Sequence, residues 1–283
     1  MKLQAVTVCV NYADFFAETG AANCGIFDKF IVVTDKKDTE VTQLCKDFGY
    51  TCVKTDVFYE KGIFNKYAGI NEGLQHVDPD AWVCFIDSDI VMQKDTRRVL
   101  EKLNLDPTGL YGIDRVNCVG MDQWISYKKG RGVLTENWML TTAGLETGAR
   151  LVHYYGHEGE NGRFEGWRPL GFFQLCHRSQ FVMYPENTAG ADHCDLLFSR
   201  LWPRKKRVLI PELYGVHLES ERAGKGVNWY GRKSDPFVSK PKKSDPDCQV
   251  SSWDIFCNAM RENRNGLLVA LIVVILTILS LQI

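Results

Sequence analysis

Along the first hundred positions the apolar residues fall in short unbroken runs, separated by polar stretches with helical spacing. Ala5 to Val10 (AVTVCV), Phe30 to Thr34 (FIVVT), Thr51 to Lys54 and Trp82 to Ile86 (WVCFI) predict four strands. Helices are predicted between them over Phe15 to Cys24, Thr39 to Phe48 and Lys66 to His76, the last with apolar residues at Ala68, Ile70 and Leu74. Strands that are apolar at successive positions are covered on both faces, so the alternation of strand and helix predicts a parallel sheet between two helical layers. Ligands of such sheets bind at the carboxyl ends of the strands. The residues that follow each strand are therefore the ones to read for chemistry.

The far end of the chain has a different pattern. Leu267 to Ile283 (LLVALIVVILTILSLQI) holds no charged side chain. As a helix it reaches roughly 26 Å at about 1.5 Å per residue, a little short of a hydrocarbon core of about 30 Å, a gap that local thinning closes. A buried terminal helix, apolar on every side, would need a large protein around it. Arg261 and Arg264 precede the run, and basic flanks favour the cytoplasmic side. The expected organisation is a catalytic domain over 1–231, a stalk over 232–265 and a transmembrane tail anchor over 266–283, with the body at the cytosolic face. KSDP occurs twice in the stalk, at Lys233 to Pro236 and Lys243 to Pro246, a composition unable to build a core. Trp253, Ile255 and Phe256 interrupt it as a short amphipathic element.

Composition narrows the function. With 34 basic and 35 acidic residues in 283, the chain lacks the net basic surface that coating nucleic acid requires. The ten cysteines include no CxxC pair, which weakens a structural zinc reading. The amino terminus has neither the long apolar core nor the small-residue cleavage site of a signal peptide, so the thiols are expected to be reduced.

At the end of the fourth predicted strand stand Asp87 and Asp89 in IDSDIV. Carboxylates at the edge of an apolar strand are costly unless compensated, and two of them two residues apart share one side if the strand continues. Mg²⁺ or Mn²⁺ is the usual compensation, with open positions left for substrate phosphates; a polar turn is the plain alternative. Asn11 and Tyr12 follow the first strand and Asp35 the second. A tyrosine there could stack on a base and an aspartate could accept hydrogen bonds from base or ribose, although either could equally form a turn. Lys66 and Asn65, at a predicted helix start, fit phosphate contacts or a solvated lysine beside an asparagine cap.

The order VxVxxY, VVTDxxD, FNKxxxINxGL and WVxFxDSDIV over residues 3–92 resembles the nucleotide-binding half of GT-A fold glycosyltransferases, especially those similar to family 2. The resemblance implies a Rossmann-like α/β/α sandwich with a mostly parallel central sheet. In such enzymes Asp35 would contact uracil or another base, Asp87 the ribose or sugar, and Asp89 the metal. GFFQLCHRSQFVMYPE (Gly171 to Glu186) looks like the sheet-edge element placed under the acceptor. The following Asp192-His193-Cys194-Asp195-Leu196 is similar to the family's EDxDL motif but departs at its second acidic position. A carboxylate there would take the acceptor's proton, a contribution of typically about 10²- to 10⁴-fold. Asp192 aligns with the family's glutamate; Asp195 is the other candidate base, or a helix cap.

His217, after the apolar run VLIPELYGVHL, could complete the metal's coordination as His does in several GT-A enzymes, or be a core histidine with a satisfied hydrogen bond; Lys225 and Arg232 could close over the diphosphate, or be solvated cations, with Trp229 a further candidate for binding the nucleotide sugar. Arg115, Glu160 and Trp167 lie in the least legible segment as candidate acceptor contacts. Arg204-Lys205-Lys206-Arg207 is the densest basic run and suits anionic lipid, a phosphorylated acceptor or a solvated turn. The sequence thus predicts a membrane-tethered, metal-dependent, inverting transferase that moves a hexose-like sugar from a UDP-sugar to the hydroxyl of a glycan, lipid or protein. A nucleotidyltransferase is the alternative enzyme class, but Asn11-Tyr12-Ala13-Asp14 stands where its glycine-rich loop belongs. A non-catalytic membrane adaptor is the third reading.

Overall fold

The computed structural model describes residues 1–59, 64–130, 169–180, 182–185, 194–221 and 228–229. Strands β1 (Leu3–Val8), β2 (Lys29–Asp35), β3 (Thr51–Thr55) and β4 (Trp82–Ile86) alternate with helices α1 (Ala13–Ala22), α2 (Thr39–Phe48) and α3 (Lys66–Leu74). The chain continues through β5 (Ile90–Met92), α4 (Thr96–Lys102), β6 (Leu110–Val119), α5 (Met121–Lys128), β7 (Phe173–His177), α6 (Cys194–Ser199) and β8 (Arg207–Glu219). The strands form one sheet in the order β3-β2-β1-β4-β7-β6-β8-β5. β1 pairs in parallel with β2 and β4, and β2 in parallel with β3. β7 runs antiparallel to both β4 and β6, which makes the architecture a mixed α/β sheet.

Both faces are dry, and this accounts for the unbroken apolar runs. Ala5 and Val32 face a cluster with Phe15, Phe16 and Phe30, whereas Val6, Ile31 and Val33 face a second cluster with Ile70, Leu74 and Phe198. In β4 the split repeats, with Cys84 and Ile86 on one side and Val83 and Phe85 on the other. Each buried phenylalanine of this kind contributes about 1.5–3 kcal/mol relative to an exposed one.

β1 stops at Val8, two residues before the predicted end. Asn11 adopts a left-handed backbone (φ 61°), which no strand accommodates. One carboxylate holds it there: Asp38 Oδ2 accepts from Asn11 N at 2.9 Å, while its Oδ1 accepts from Val41 N at 3.1 Å and caps α2. α2 ends at Gly49, whose positive φ of 71° closes the helix without steric cost.

The strand within the Gly171 to Glu186 segment is not at a sheet edge. β7 lies inside the sheet between β4 and β6, and only an apolar strand such as FQLCH can occupy a position walled on both sides. Gln174, its one polar residue buried completely, donates to Pro169 O (2.8 Å) and Ser199 Oγ (2.9 Å) and accepts from Tyr184 Oη. Tyr184 stacks on Phe198 with ring centroids 4.1 Å apart. These contacts fix α6 against β7. β8 slips in its register with β6 between Gly112 and Asp114, opposite Pro211, which has no N–H to give to a ladder.

Among the described residues no helix is long and apolar enough to cross a membrane. The predicted tail anchor over 266–283, the stalk and its aromatic element all lie outside the described residues.

Candidate active site

Asp87, Ser88 and Asp89 form a turn between β4 and β5, closed by Ile90 N donating to Asp87 O at 3.2 Å. The strand does not continue through the two aspartates, and their carboxylates therefore diverge instead of sharing one side. Three neighbours hold the turn. Thr19 Oγ1 of α1 donates to Ser88 O (2.6 Å), Asn23 brackets β5 through Ile90 O and Met92 N (both 2.8 Å), and Leu218 N of β8 donates to Asp89 O (2.9 Å).

Asp87 faces α3, where Lys66 Nζ lies 2.5 Å from its Oδ1. Burial pulls the Lys66 ammonium down, but the Asp87 carboxylate more than offsets this and the lysine ends above its ordinary range. Lys66 is thus the cationic partner of Asp87, whose carboxyl burial nevertheless holds above its ordinary range.

Asp89 faces β8. Its Oδ2 lies 3.5 Å from His217 Nε2, and its Oδ1 is buried with no hydrogen-bond partner among the described residues. Burial raises the Asp89 carboxyl, yet the His217 charge outweighs it and the carboxyl falls below the usual range. His217 Nδ1 lies 2.9 Å from Glu219 Oε1 and 3.4 Å from Asn117 Oδ1. Burial and the Arg115 charge lower the imidazole, Asp89 and Glu219 raise it further, and the net direction is upward. Burial likewise raises Glu219, but its bond to His217 wins and it ends low.

Among the described residues no three His, Cys, Asp or Glu side chains stand close enough to enclose a metal by themselves. Of the predicted set, Asp87 pairs with Lys66, and Asp89 stands beside His217. Asp89 and His217 nevertheless fit a hard divalent cation, since the carboxylate that meets the imidazole through Oδ2 keeps its buried Oδ1 without a hydrogen-bond partner among the described residues, with positions left for substrate oxygens.

The remaining predicted residues spread around this centre. Tyr12 is 7% exposed and packs on Phe15 at 5.7 Å, so its ring is not an open stacking platform. Asn11 Oδ1 is buried without a hydrogen-bond partner among the described residues, and Asn11 O accepts from Asn228 Nδ2 at 2.6 Å. Asp35 is buried at the end of β2 and accepts from Lys37 N at 2.8 Å, a turn-forming contact. Asn65 caps nothing with its side chain, donating to Val57 O instead. Trp229 sets its ring edge-on to Phe15 (4.6 Å) and donates to Glu219 O (3.2 Å), which docks it beside α1 and the end of β8.

Asp195 Oδ2 accepts from Gly171 N at 2.7 Å and Oδ1 from Leu196 N at 2.9 Å, so both oxygens already serve the backbone that leads into β7 and α6. In the basic run, Lys206 is paired with Asp106 at 2.5 Å and Arg207 donates to Trp202 O. Asp192, Lys225, Arg232, Glu160 and Trp167 lie outside the described residues. Glu219 was not foreseen. Its signal was present in His217-Leu218-Glu219, because residues two apart on a strand share a face.

No known family's sequence profile matches the chain, and no curated protein matches it. Solved structures do. TarS of S. aureus, residues 1–349, is 12% identical with a TM-score of 0.46, over 76% of this chain and 60% of that one. This chain therefore spans less than two thirds of the TarS segment. Glucosyl-3-phosphoglycerate synthase from Mycobacterium tuberculosis, in complex with Mn²⁺, UDP-glucose and glycerol 3-phosphate, is 12% identical with a TM-score of 0.42, over 79% of this chain and 72% of that one. Mannosyl-3-phosphoglycerate synthase from Rubrobacter xylanophilus is 14% identical with a TM-score of 0.42, over 79% and 67%. At these values no residue role passes from them to this chain.

Proposed function

We propose that this protein is a metal-dependent glycosyltransferase that moves a sugar from a nucleotide-sugar donor, a UDP-sugar, to an acceptor hydroxyl. The observation that carries the reading is Asp89 at the carboxyl end of β4, its Oδ2 beside His217 and its buried Oδ1 without a hydrogen-bond partner among the described residues. An oxygen in that state costs about 1–3 kcal/mol unless a ligand satisfies it. Mn²⁺ or Mg²⁺, held by Asp89 and His217, would supply positive charge to the departing diphosphate.

The chain's own residues arrange the rest. Glu219, at the far nitrogen of His217, keeps Nε2 turned toward Asp89. Lys66 faces the same turn from the opposite side, where its ammonium could pass from Asp87 to a phosphate oxygen. The left-handed Asn11 and the buried Asp35 mark the ends of β1 and β2, where the resemblance expects the nucleoside. With Asp195 committed to two backbone N–H groups, Asp192 is the better candidate for the carboxylate that deprotonates the acceptor. Inversion at the anomeric carbon would follow from a single in-line displacement.

The decisive assay is metal-dependent release of UDP from UDP-sugars by the full chain. Turnover that requires Mn²⁺ or Mg²⁺ supports the transferase; UDP-sugar binding without turnover, with or without metal, supports the adaptor and removes this reading.

A further inference from the structure

Arg115 stands on β6 next to the turn that carries the two aspartates, and its charge acts on Asp89, His217 and Glu219. Its guanidinium lies over the ring of Phe172, 5.1 Å from the centroid. The carbonyl of that same Phe172 accepts from Asp87 N at 3.3 Å, so the residue under the guanidinium is tied to the aspartate turn.

Arg115 makes no hydrogen bond and no ion pair among the described residues, and its Nε is buried without a partner. This is an expensive way to keep a guanidinium. Five N–H donors in a planar fork suit two oxygens of one oxyanion, and partly buried donors left empty forfeit that bonding. Asp89 and Glu219 feel the Arg115 charge, but neither makes a hydrogen bond or ion pair to the guanidinium among the described residues.

Position indicates whose oxyanion belongs there. The nucleoside-binding end expected at β1 and β2 is separated from β6 by β4 and β7 in the strand order. Arg115 therefore lies across the aspartates from the ends of β1 and β2, on the side that the transferase reading assigns to the acceptor. We propose that Arg115 is an anchor for an acceptor that carries a phosphate or carboxylate group, bound through the two-pronged guanidinium. The proposal rests on the transferase reading for the word acceptor, but the anion site itself does not.

The test uses the full chain with Mn²⁺ and saturating UDP, titrated with inorganic phosphate, in the wild type, Arg115→Gln and Arg115→Lys. Wild type is expected to bind phosphate at millimolar concentration, Arg115→Gln about tenfold or more weakly, and Arg115→Lys between the two, since lysine keeps the charge and loses the fork. UDP affinity should stay within about twofold in all three. Unchanged phosphate affinity in Arg115→Gln, or no phosphate binding by wild type, overturns the anchor. A parallel loss of UDP affinity overturns the acceptor assignment, because it places the guanidinium on the donor diphosphate. If Arg115→Gln fails to fold, the lysine variant carries the same comparison. Failure of UDP to bind wild type, with phosphate binding still dependent on Arg115, would remove the transferase reading and leave the anion site standing.

Discussion

His217 Nε2 lies 3.5 Å from Asp89 Oδ2, while the other oxygen of that carboxylate is buried and bonded to nothing among the described residues. Two strands meet to make this geometry. β5 pairs with β8 so that Ile90 stands opposite His217, and Leu218 N ties β8 to Asp89 O at 2.9 Å. The sheet therefore sets the donor pair, and the turn only presents it.

Lys66 and Asp87 form the opposing pair, partly shielded at 19% and 29% side-chain exposure. Lys66→Met should leave the Asp87 carboxylate without its cation and lower stability by about 1–3 kcal/mol. Adding Asp87→Asn should recover much of that loss. Urea unfolding of the two single variants and the double variant measures the coupling; additivity would mean the pair contributes nothing.

Asp195 and Asp192 separate by readout. Asp195→Ala removes the acceptor of Gly171 N and should cost about 1–2 kcal/mol of stability. Asp192→Ala should leave the melting temperature in place and lower UDP-sugar transfer by about 10²- to 10⁴-fold. The opposite pattern in calorimetry and initial rates would exchange the two roles.

Asp28 gives a stability effect with a defined pH sign. Its Oδ1 takes Arg97 Nη1 at 2.8 Å and its Oδ2 takes Leu3 N at 2.8 Å, joining β1 to α4. The Arg97 guanidinium holds the carboxyl below its ordinary value of 3.8, against a smaller upward push from burial. A depressed folded value means the contribution is fully present above the unfolded value and disappears as pH falls through the folded one. Asp28→Asn should therefore cost about 1 kcal/mol at pH 7, a modest figure because the pair is partly solvated, and close to nothing at pH 2. A pH-independent difference in denaturant midpoint would contradict this.

The first four strands and three helices were legible because the doubly covered sheet writes itself as unbroken apolar runs. β4 and α2 match their predicted bounds residue for residue. The later strands were harder. β6 carries Asp114, Arg115 and Asn117 among its apolar positions, and β8 carries Pro211 and Glu212, so neither shows a clean period. At the site, sequence spacing treated Asp87 and Asp89 as one ligand pair, whereas the turn at Ser88 sends one to Lys66 and the other to His217. Long-range partners of that kind, 21 residues apart for Lys66 and Asp87, leave no local mark. Of the two roles open to Tyr12 in the sequence, burial disfavours stacking: a residue after a strand reads as available, but its ring packs on Phe15 and is 7% exposed.

The central claim, that Asp89 and His217 hold a divalent cation against the donor's diphosphate, is tested most directly by Mn²⁺ titration of the full chain with and without UDP, followed by electron paramagnetic resonance of the free ion. The account predicts one Mn²⁺ site that tightens when UDP is present, and a loss of at least about tenfold in affinity for Asp89→Asn and for His217→Ala. Mn²⁺ binding that ignores UDP, or that survives both substitutions unchanged, would contradict it.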